Sequence, residues 1–234
     1  MTELKGIQEF SYDYYRSMLK KSIEIGYKIS SFEKYDEKVL KTIILRHDID
    51  YTLDGLLEFA KIENELSCSS TYLFRVHADE YNLFSCISWD IIRRLRDLGH
   101  EIGLHFEAMN VGRALKIDPP KLLKMEKETI ESILGYKVKT ASEHREISGT
   151  VHATPVYREL YNPYEAGFDY YAMDEKYCKQ MKYLSDSNAN WREGDLLKHL
   201  GKHDRFQILV HPDWWFENDL LLKGPYYHPR STHI

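Results

Sequence analysis

Cysteine is scarce in this chain, with three in 234 residues (Cys68, Cys86 and Cys178) and no C-x-x-C pair. An odd, scattered set excludes a disulfide framework and fits a reducing compartment, where the three read as buried thiols. Long apolar runs are missing too: no stretch approaches the roughly 18 residues that cross a bilayer, so no membrane span is expected. The first residues, Met1-Thr-Glu-Leu-Lys-Gly, lack the basic start, apolar run and small-residue cleavage site of a secretory signal, and a cytoplasmic protein is expected. There is no basic cluster, and the formal charge is −5; a partner built on phosphate backbones is excluded, and no nucleic acid is expected. Proline- or glycine-rich linkers, repeats and low-complexity stretches are absent, so residues 1–234 read as a single domain. With 43 % apolar and 29 % charged residues the composition is that of a soluble globular protein rather than a disordered, collagenous or coiled-coil one. Nothing in it fixes an oligomeric state.

Tyrosine (18) and histidine (11) are plentiful. Tyrosine suits surfaces that stack on sugars, and it equally suits a core. Apolar residues at helical spacing from Ile7 to Ile23 predict an N-terminal helix within 7–29 that covers the rest. The β-branched run from Thr42, ending abruptly in charge at Asp50, reads as a buried parallel strand. Thr52 then caps an expected helix over 53–66, and a second strand runs from Ser70 to Val76. Ser88 opens a helix through Leu98, Gly99 closes it, and His100 to Phe106 forms a third strand. Pro119 and Pro120 open a helix to Leu134, followed by a strand from Val138 to Ser142. Further strands are expected at Phe168–Met173, Lys182–Leu184 and Phe206–Val210. Strands alternating with helices imply right-handed βαβ units and a parallel sheet, either closed into a barrel or open.

In such folds functional groups sit just beyond the carboxyl ends of strands. Here those ends carry His47, Asp48 and Asp50; His105 and Glu107; Glu143, His144 and Arg145; Asp186; and His211 with Asp213. A single histidine or aspartate after a strand is an ordinary cap, but five strand ends converging on one rim point to a site. Carboxylate and imidazole without thiolate suit a divalent metal such as zinc, iron, manganese or cobalt.

Five segments carry a resemblance: Arg46-His-Asp-Ile-Asp50, Gly99-His-Glu-Ile-Gly-Leu-His105, His144-Arg145, Ser185-Asp-Ser187 and Leu209-Val-His-Pro-Asp-Trp-Trp215. In this order they resemble the motifs of the polysaccharide deacetylase superfamily, the NodB-homology or carbohydrate esterase family 4 group, and most of all a divergent branch with an R-H-D-x-D first motif. The resemblance spans about residues 40–216. It implies a distorted, incomplete (β/α)7-type barrel with parallel strands and an extra N-terminal helix: a helical cover over 1–40, the catalytic barrel over 41–216 and a tail over 217–234. It also implies one divalent metal, zinc first, held by one aspartate and two histidines, and hydrolysis of an N- or O-acetyl group on a carbohydrate. The expected lack of an export signal, rather than the resemblance, points to a nucleotide- or lipid-linked sugar precursor, as in surface-glycan assembly.

The family pattern assigns Asp48 as general base and Asp50 as metal ligand, with the reverse open, and His105 as the first histidine ligand. It makes His211 the acid for the leaving group, lets Arg145 orient the base and lets Asp186 orient His211. The second histidine ligand of the family falls at Met109, whose thioether suits a hard site poorly. Glu107 and His144 are the candidates to replace it, and His144 is favoured because it restores a two-histidine, one-carboxylate set. Glu107 is otherwise grouped with Trp214 and Trp215 on the sugar side, although paired tryptophans after a last strand are core as often as a binding wall. His47 and His100 read as structural, and His152, His199, His203, His228 and His233 as surface residues.

Two other readings compete. A catalytically degenerate sugar-binding barrel is suggested by Met109. A haloacid-dehalogenase-like phosphatase fits Asp48-Ile-Asp-Tyr-Thr52 as a D-x-D-x-T motif, but it needs a later acidic pair for magnesium, and no Asp-Asp occurs in the chain.

Overall fold

The computed structural model describes residues 9–144 and 162–216. The architecture grows outward from β2 (Thr42–Ile49), which is buried along its whole length. One edge of β2 is shared: β1 (Lys28–Ser30) pairs with Thr42–Ile44 and β3 (Thr71–Phe74) with Arg46–Ile49. The other edge takes β8 (Arg205–Val210), the last strand among the described residues. Beyond β3 come β4 (Glu101–Phe106), β5 (Thr140–Glu143) and β6 (Tyr170–Tyr171), and beyond β8 comes β7 (Lys182–Ser185). Among the described residues every pairing is parallel, and the order β6-β5-β4-β3-β2-β8-β7 leaves β6 and β7 as unjoined edges, so the sheet is an incomplete α/β barrel.

Helices complete the crossovers. They are α2 (Leu56–Glu65), α3 (Cys86–Asp97), α4 (Ala108–Leu115) and α5 (Pro119–Leu134). α5 has the expected bounds, with the Asp118 carboxylate accepting from Lys121 N–H, Pro119 opening the helix and Gly135 closing it. Two caps differ from expectation. α3 is capped by Ser85, three residues before Ser88, whose hydroxyl instead bonds the Asn82 carbonyl. α2 starts after Gly55, in the left-handed region at φ 79°, because Thr52 is engaged elsewhere: its hydroxyl accepts from Asp54 N–H and its own N–H donates to Asp213. The N-terminal cover is shorter than expected as a helix (α1, Tyr12–Glu24) and is not purely helical, since β1 joins the sheet. Of the cysteines only Cys68 is buried, and Cys86 is exposed.

Strand alternation gives the sheet two unlike faces. Outward residues such as Ile43, Leu45, Ile49, Tyr72, Phe74, Ile102, Leu104, Phe106, Phe206, Ile208 and Val210 form the main core with the helices. The concave inner face carries Arg46, Asp48, His105, Ser142 and Gln207, and at its lower end Ile44 closes against Phe32, Ala172, Tyr177 and Met181. Crowding inside the curl explains Gly103, where a Cβ would lie 2.5 Å from Leu73 and 2.7 Å from the Thr140 carbonyl.

One polar group interrupts the outer core. The Glu63 carboxylate, fully buried on α2, accepts from Tyr15 of α1 (2.5 Å), His47 of β2 (2.6 Å), and Ser70 (2.6 Å) and Tyr72 (3.2 Å) at β3. His47 stacks on Tyr72, and His100 accepts from Ser70 N–H while donating to the Ala60 carbonyl, so both histidines are structural as expected. Burial pushes Glu63 up, but the charge and hydrogen bond of His47, with smaller help from His100 and Ser70, hold it at about 2. Glu63→Ala should therefore lower the unfolding free energy by about 3–5 kcal/mol, because it leaves His47 buried without its partner. The contribution of the ionised carboxylate is fully present above its ordinary pKa near 4.5 and is lost as the pH falls toward 2. Urea titrations should show the gap between the wild type and Glu63→Gln closing across that window.

Candidate functional site

At the carboxyl end of β2, Asp48 lies within the strand and Asp50 one residue beyond it, so the inner face delivers both side chains to the rim. His105 arrives from β4 and His144 from just after β5. His211 arrives from just after β8, beside Asp186, which follows β7. The structure thus brings Asp48, Asp50, His105, His144, His211 and Asp186 to one mouth.

Asp50 is the centre. His105 Nε2 is 3.2 Å from its Oδ1, His144 Nε2 is 3.6 Å from the same oxygen, and His211 Nε2 is 4.0 Å from its Oδ2. Each imidazole turns its other nitrogen to an acceptor. His105 Nδ1 donates to the Ser142 carbonyl (3.2 Å), His144 Nδ1 to the Glu107 carboxylate (2.8 Å) and His211 Nδ1 to Asp186 (2.6 Å). A nitrogen that donates to an oxygen carries the proton, so in a neutral ring the Nε2 lone pair faces Asp50.

The rings differ in charge. Burial lowers the pKa of His144 and keeps it neutral. Burial also lowers His211, but the charge and hydrogen bond of Asp186 outweigh it and carry His211 to about 9, so it is an imidazolium at neutral pH. Burial raises Asp50, yet His105 beside its Oδ1 and the positive charge of His211 hold it far below the ordinary carboxylate range. Asp213, whose Oδ1 takes the Thr52 N–H (3.1 Å), is pushed up to about 7 by burial and by the charge of Asp50.

Ligand atoms of Asp50, His105 and His144 all lie within 4.8 Å of one another. Asp50 Oδ1 and His144 Nε2 are buried and have no hydrogen-bond partner among the described residues. A carboxylate oxygen and an imidazole lone pair that face each other without a proton between them are both electron-pair donors. That donor set fits a divalent cation such as zinc.

Other expected residues sit elsewhere. Trp215 is corrected from sugar wall to core: it is 2 % exposed, packs edge-on against Phe10 and Tyr15, and donates its indole N–H to Asp186 (2.7 Å). Trp214 is half-buried. Glu107 is also removed from the sugar side, being buried between His144 and Arg75 (3.0 Å). Met109 is buried in the first turn of α4. Arg145 lies outside the described residues, as do His152, His228 and His233. The arginine seen beside Asp48 is Arg46, two residues earlier on the same face, with Nη2 3.3 Å from Asp48 Oδ2. Alternation alone could have predicted that contact. Arg75, directly after β3, was missed because the strand expected from Ser70 to Val76 placed it inside the strand, whereas β3 ends at Phe74.

No family model matches the chain, and no curated protein matches it. Among solved structures, IcaB from Ammonifex degensii aligns over 67 % of this chain and 73 % of its own, at 13 % identity and a TM-score of 0.48. The Streptococcus pyogenes deacetylase PplD, solved in complex with acetate, aligns over 95 % and 92 %, at 12 % identity and 0.47. A family 4 carbohydrate esterase from Bacillus anthracis aligns over 85 % and 77 %, at 19 % identity and 0.44. Likenesses this remote carry no argument about activity, which rests on the side chains of the site.

The core assignment of Trp215 has a direct check. Trp215→Phe keeps most of the ring packing but removes a donor from the buried Asp186, and should cost about 1–3 kcal/mol in thermal or denaturant unfolding. A variant of unchanged stability with weakened sugar binding would return Trp215 to the wall.

Proposed function

We propose that the protein is a metal-dependent hydrolase that removes an acetyl group from a carbohydrate or sugar-containing precursor. The observation that carries this reading is the pair of buried, unpartnered electron donors, Asp50 Oδ1 and His144 Nε2, with His105 Nε2 beside them at the mouth of the barrel. Asp50, His105 and His144 would hold the cation, zinc first, with iron, manganese or cobalt as substitutes. When bound, it would lower the pKa of water toward neutrality and polarise the acetyl carbonyl.

The chain's own groups supply the proton traffic. Asp48 is the general base: Arg46 holds its Oδ2, while its buried Oδ1 has no partner among the described residues and is the oxygen that accepts the proton from the attacking water. His211, kept protonated by Asp186, gives a proton to the departing amine or alcohol. Asp186 also accepts from the His211 backbone N–H (2.9 Å) and from Trp215, so the acid cannot swing out of line. Half-buried Trp214 offers an apolar face for a sugar ring. Two imidazoles facing the aspartates favour this set over a magnesium-dependent phosphatase, which would gather carboxylates.

The test is acetate release from N- and O-acetylated sugars, including nucleotide- and lipid-linked forms, by zinc-loaded and chelated protein. Release confined to the loaded form supports the reading, and no release from any substrate by loaded protein overturns it. Asp48→Asn should abolish turnover and retain bound zinc; loss of zinc with activity would exchange the roles of Asp48 and Asp50. His211→Ala should slow amide substrates by about 10²–10⁴-fold and esters far less, because an amine leaves poorly without a proton. Equal losses on the two would argue against the acid.

A further inference from the structure

His144 stands in for a ligand that the motif pattern expects at Met109, and a ligand brought from a different strand end needs its own support. Glu107 and Arg75 supply it. Glu107 leaves β4 two residues after His105, so one strand end presents a ligand and, next to it, a carboxylate whose Oε1 takes the Nδ1–H of His144 (2.8 Å). Its other oxygen takes the Nε–H of Arg75 (3.0 Å). Arg75 also donates from Nη1 to the Asp50 carbonyl (2.5 Å) and to Glu80 (3.1 Å). The Tyr81 hydroxyl accepts the Arg75 backbone N–H and donates to the Ile49 carbonyl, both at 2.8 Å, which stitches the same loop to the end of β2.

We propose that Arg75 and Glu107 form a clamp that positions two of the three metal ligands at once, setting His144 with Nε2 toward the cation and fixing the backbone of Asp50. The proposal rests on the metal-site reading given under Proposed function. Geometry makes the pair specific. Both partners of Glu107 are donors, so both of its ends must accept, and only a carboxylate has an acceptor at each end. An amide in its place can satisfy His144 or Arg75 but meets the other N–H with its own NH₂. Arg75 is equally constrained, since its planar fork reaches Glu107, Glu80 and the Asp50 carbonyl from one buried position, which a single ammonium cannot. Burying an arginine among carboxylates is a poor way to stabilise a fold, because desolvation offsets the attraction. An arrangement whose free end meets a ligand's ring nitrogen has the form of support behind a metal-bound histidine. Arg75 and Glu107 touch neither substrate nor cation and are positioning residues.

The experiment uses the full chain, with zinc alone as the probe in competition with a chromophoric chelator. Glu107→Gln, nearly isosteric, should still fold cooperatively without zinc, at some cost in stability, and should weaken zinc by about 10–100-fold. Arg75→Lys should lose affinity in the same direction. In the zinc-free wild type, ¹⁵N spectra should show His144 as the Nδ1-protonated tautomer, and in Glu107→Gln a mixture, a signature that mere loosening of the fold does not produce. If Glu107→Gln does not fold, Arg75→Lys and its His144 tautomer carry the test by the same criteria. A wild type that binds zinc, with unchanged affinity and tautomer in the variants, overturns the clamp alone. A wild type that binds no zinc overturns the metal site and the clamp together.

Discussion

A carboxylate cannot stay ionised out of water unless positive charge or donors surround it, and Asp50 is both buried and ionised. That constraint organises the whole rim. Three imidazoles come to Asp50 from three strand ends, and each is aimed by an acceptor behind it: a backbone carbonyl for His105, a carboxylate for His144 and another for His211. Burial and the acceptor together grade the rings. Asp186 outweighs burial and leaves His211 charged, whereas burial prevails at His144, whose acceptor Glu107 is shared with Arg75, and His144 stays neutral. One geometry repeated three times therefore yields at least two chemical states, a proton holder and a lone-pair donor.

The two faces of the sheet answer to different demands. Outward residues need only be apolar and of fitting size, and they pack the helices. Inward residues carry the chemistry and tolerate polar groups only because the curl pairs them with one another, as Arg46 with Asp48 and Gln207 with the Ala172 carbonyl. Glu63 is a buried polar group on the outer side. It ties α1, α2, β2 and β3 to one buried point directly behind the strand that carries Asp48.

Much of this was legible in the sequence. The parallel sheet, the strand ends that carry the site, the helix opened by Pro119 and the structural roles of His47 and His100 follow from periodicity and from what a buried strand end must do with charge. What was hidden depended on partners far away in the chain. β1 is three residues long and is a strand only because β2 has a free half-edge. Thr52 looks like a cap until Asp213, from beyond β8, takes its N–H. Trp215 resembles a sugar platform until Asp186 captures its indole. Glu107 was open between ligand and substrate contact, and neither reading shows the Arg75 guanidinium 3.0 Å from its second oxygen.

The placement of β8 against β2 has a consequence for how the molecule comes into being. The central strand emerges early in synthesis, yet its second edge is covered only by the last strand. Until then β2 presents a row of unpaired N–H and C=O groups flanked by apolar side chains, a template for pairing with other chains. The same late strand brings His211, and the residues just after it bring Asp213 and the segment that pairs with Ser11 and Phe10. The event that protects the nascent sheet from aggregation is therefore also the one that brings His211 to the rim, and a chain interrupted before β8 would have an exposed edge and an incomplete rim.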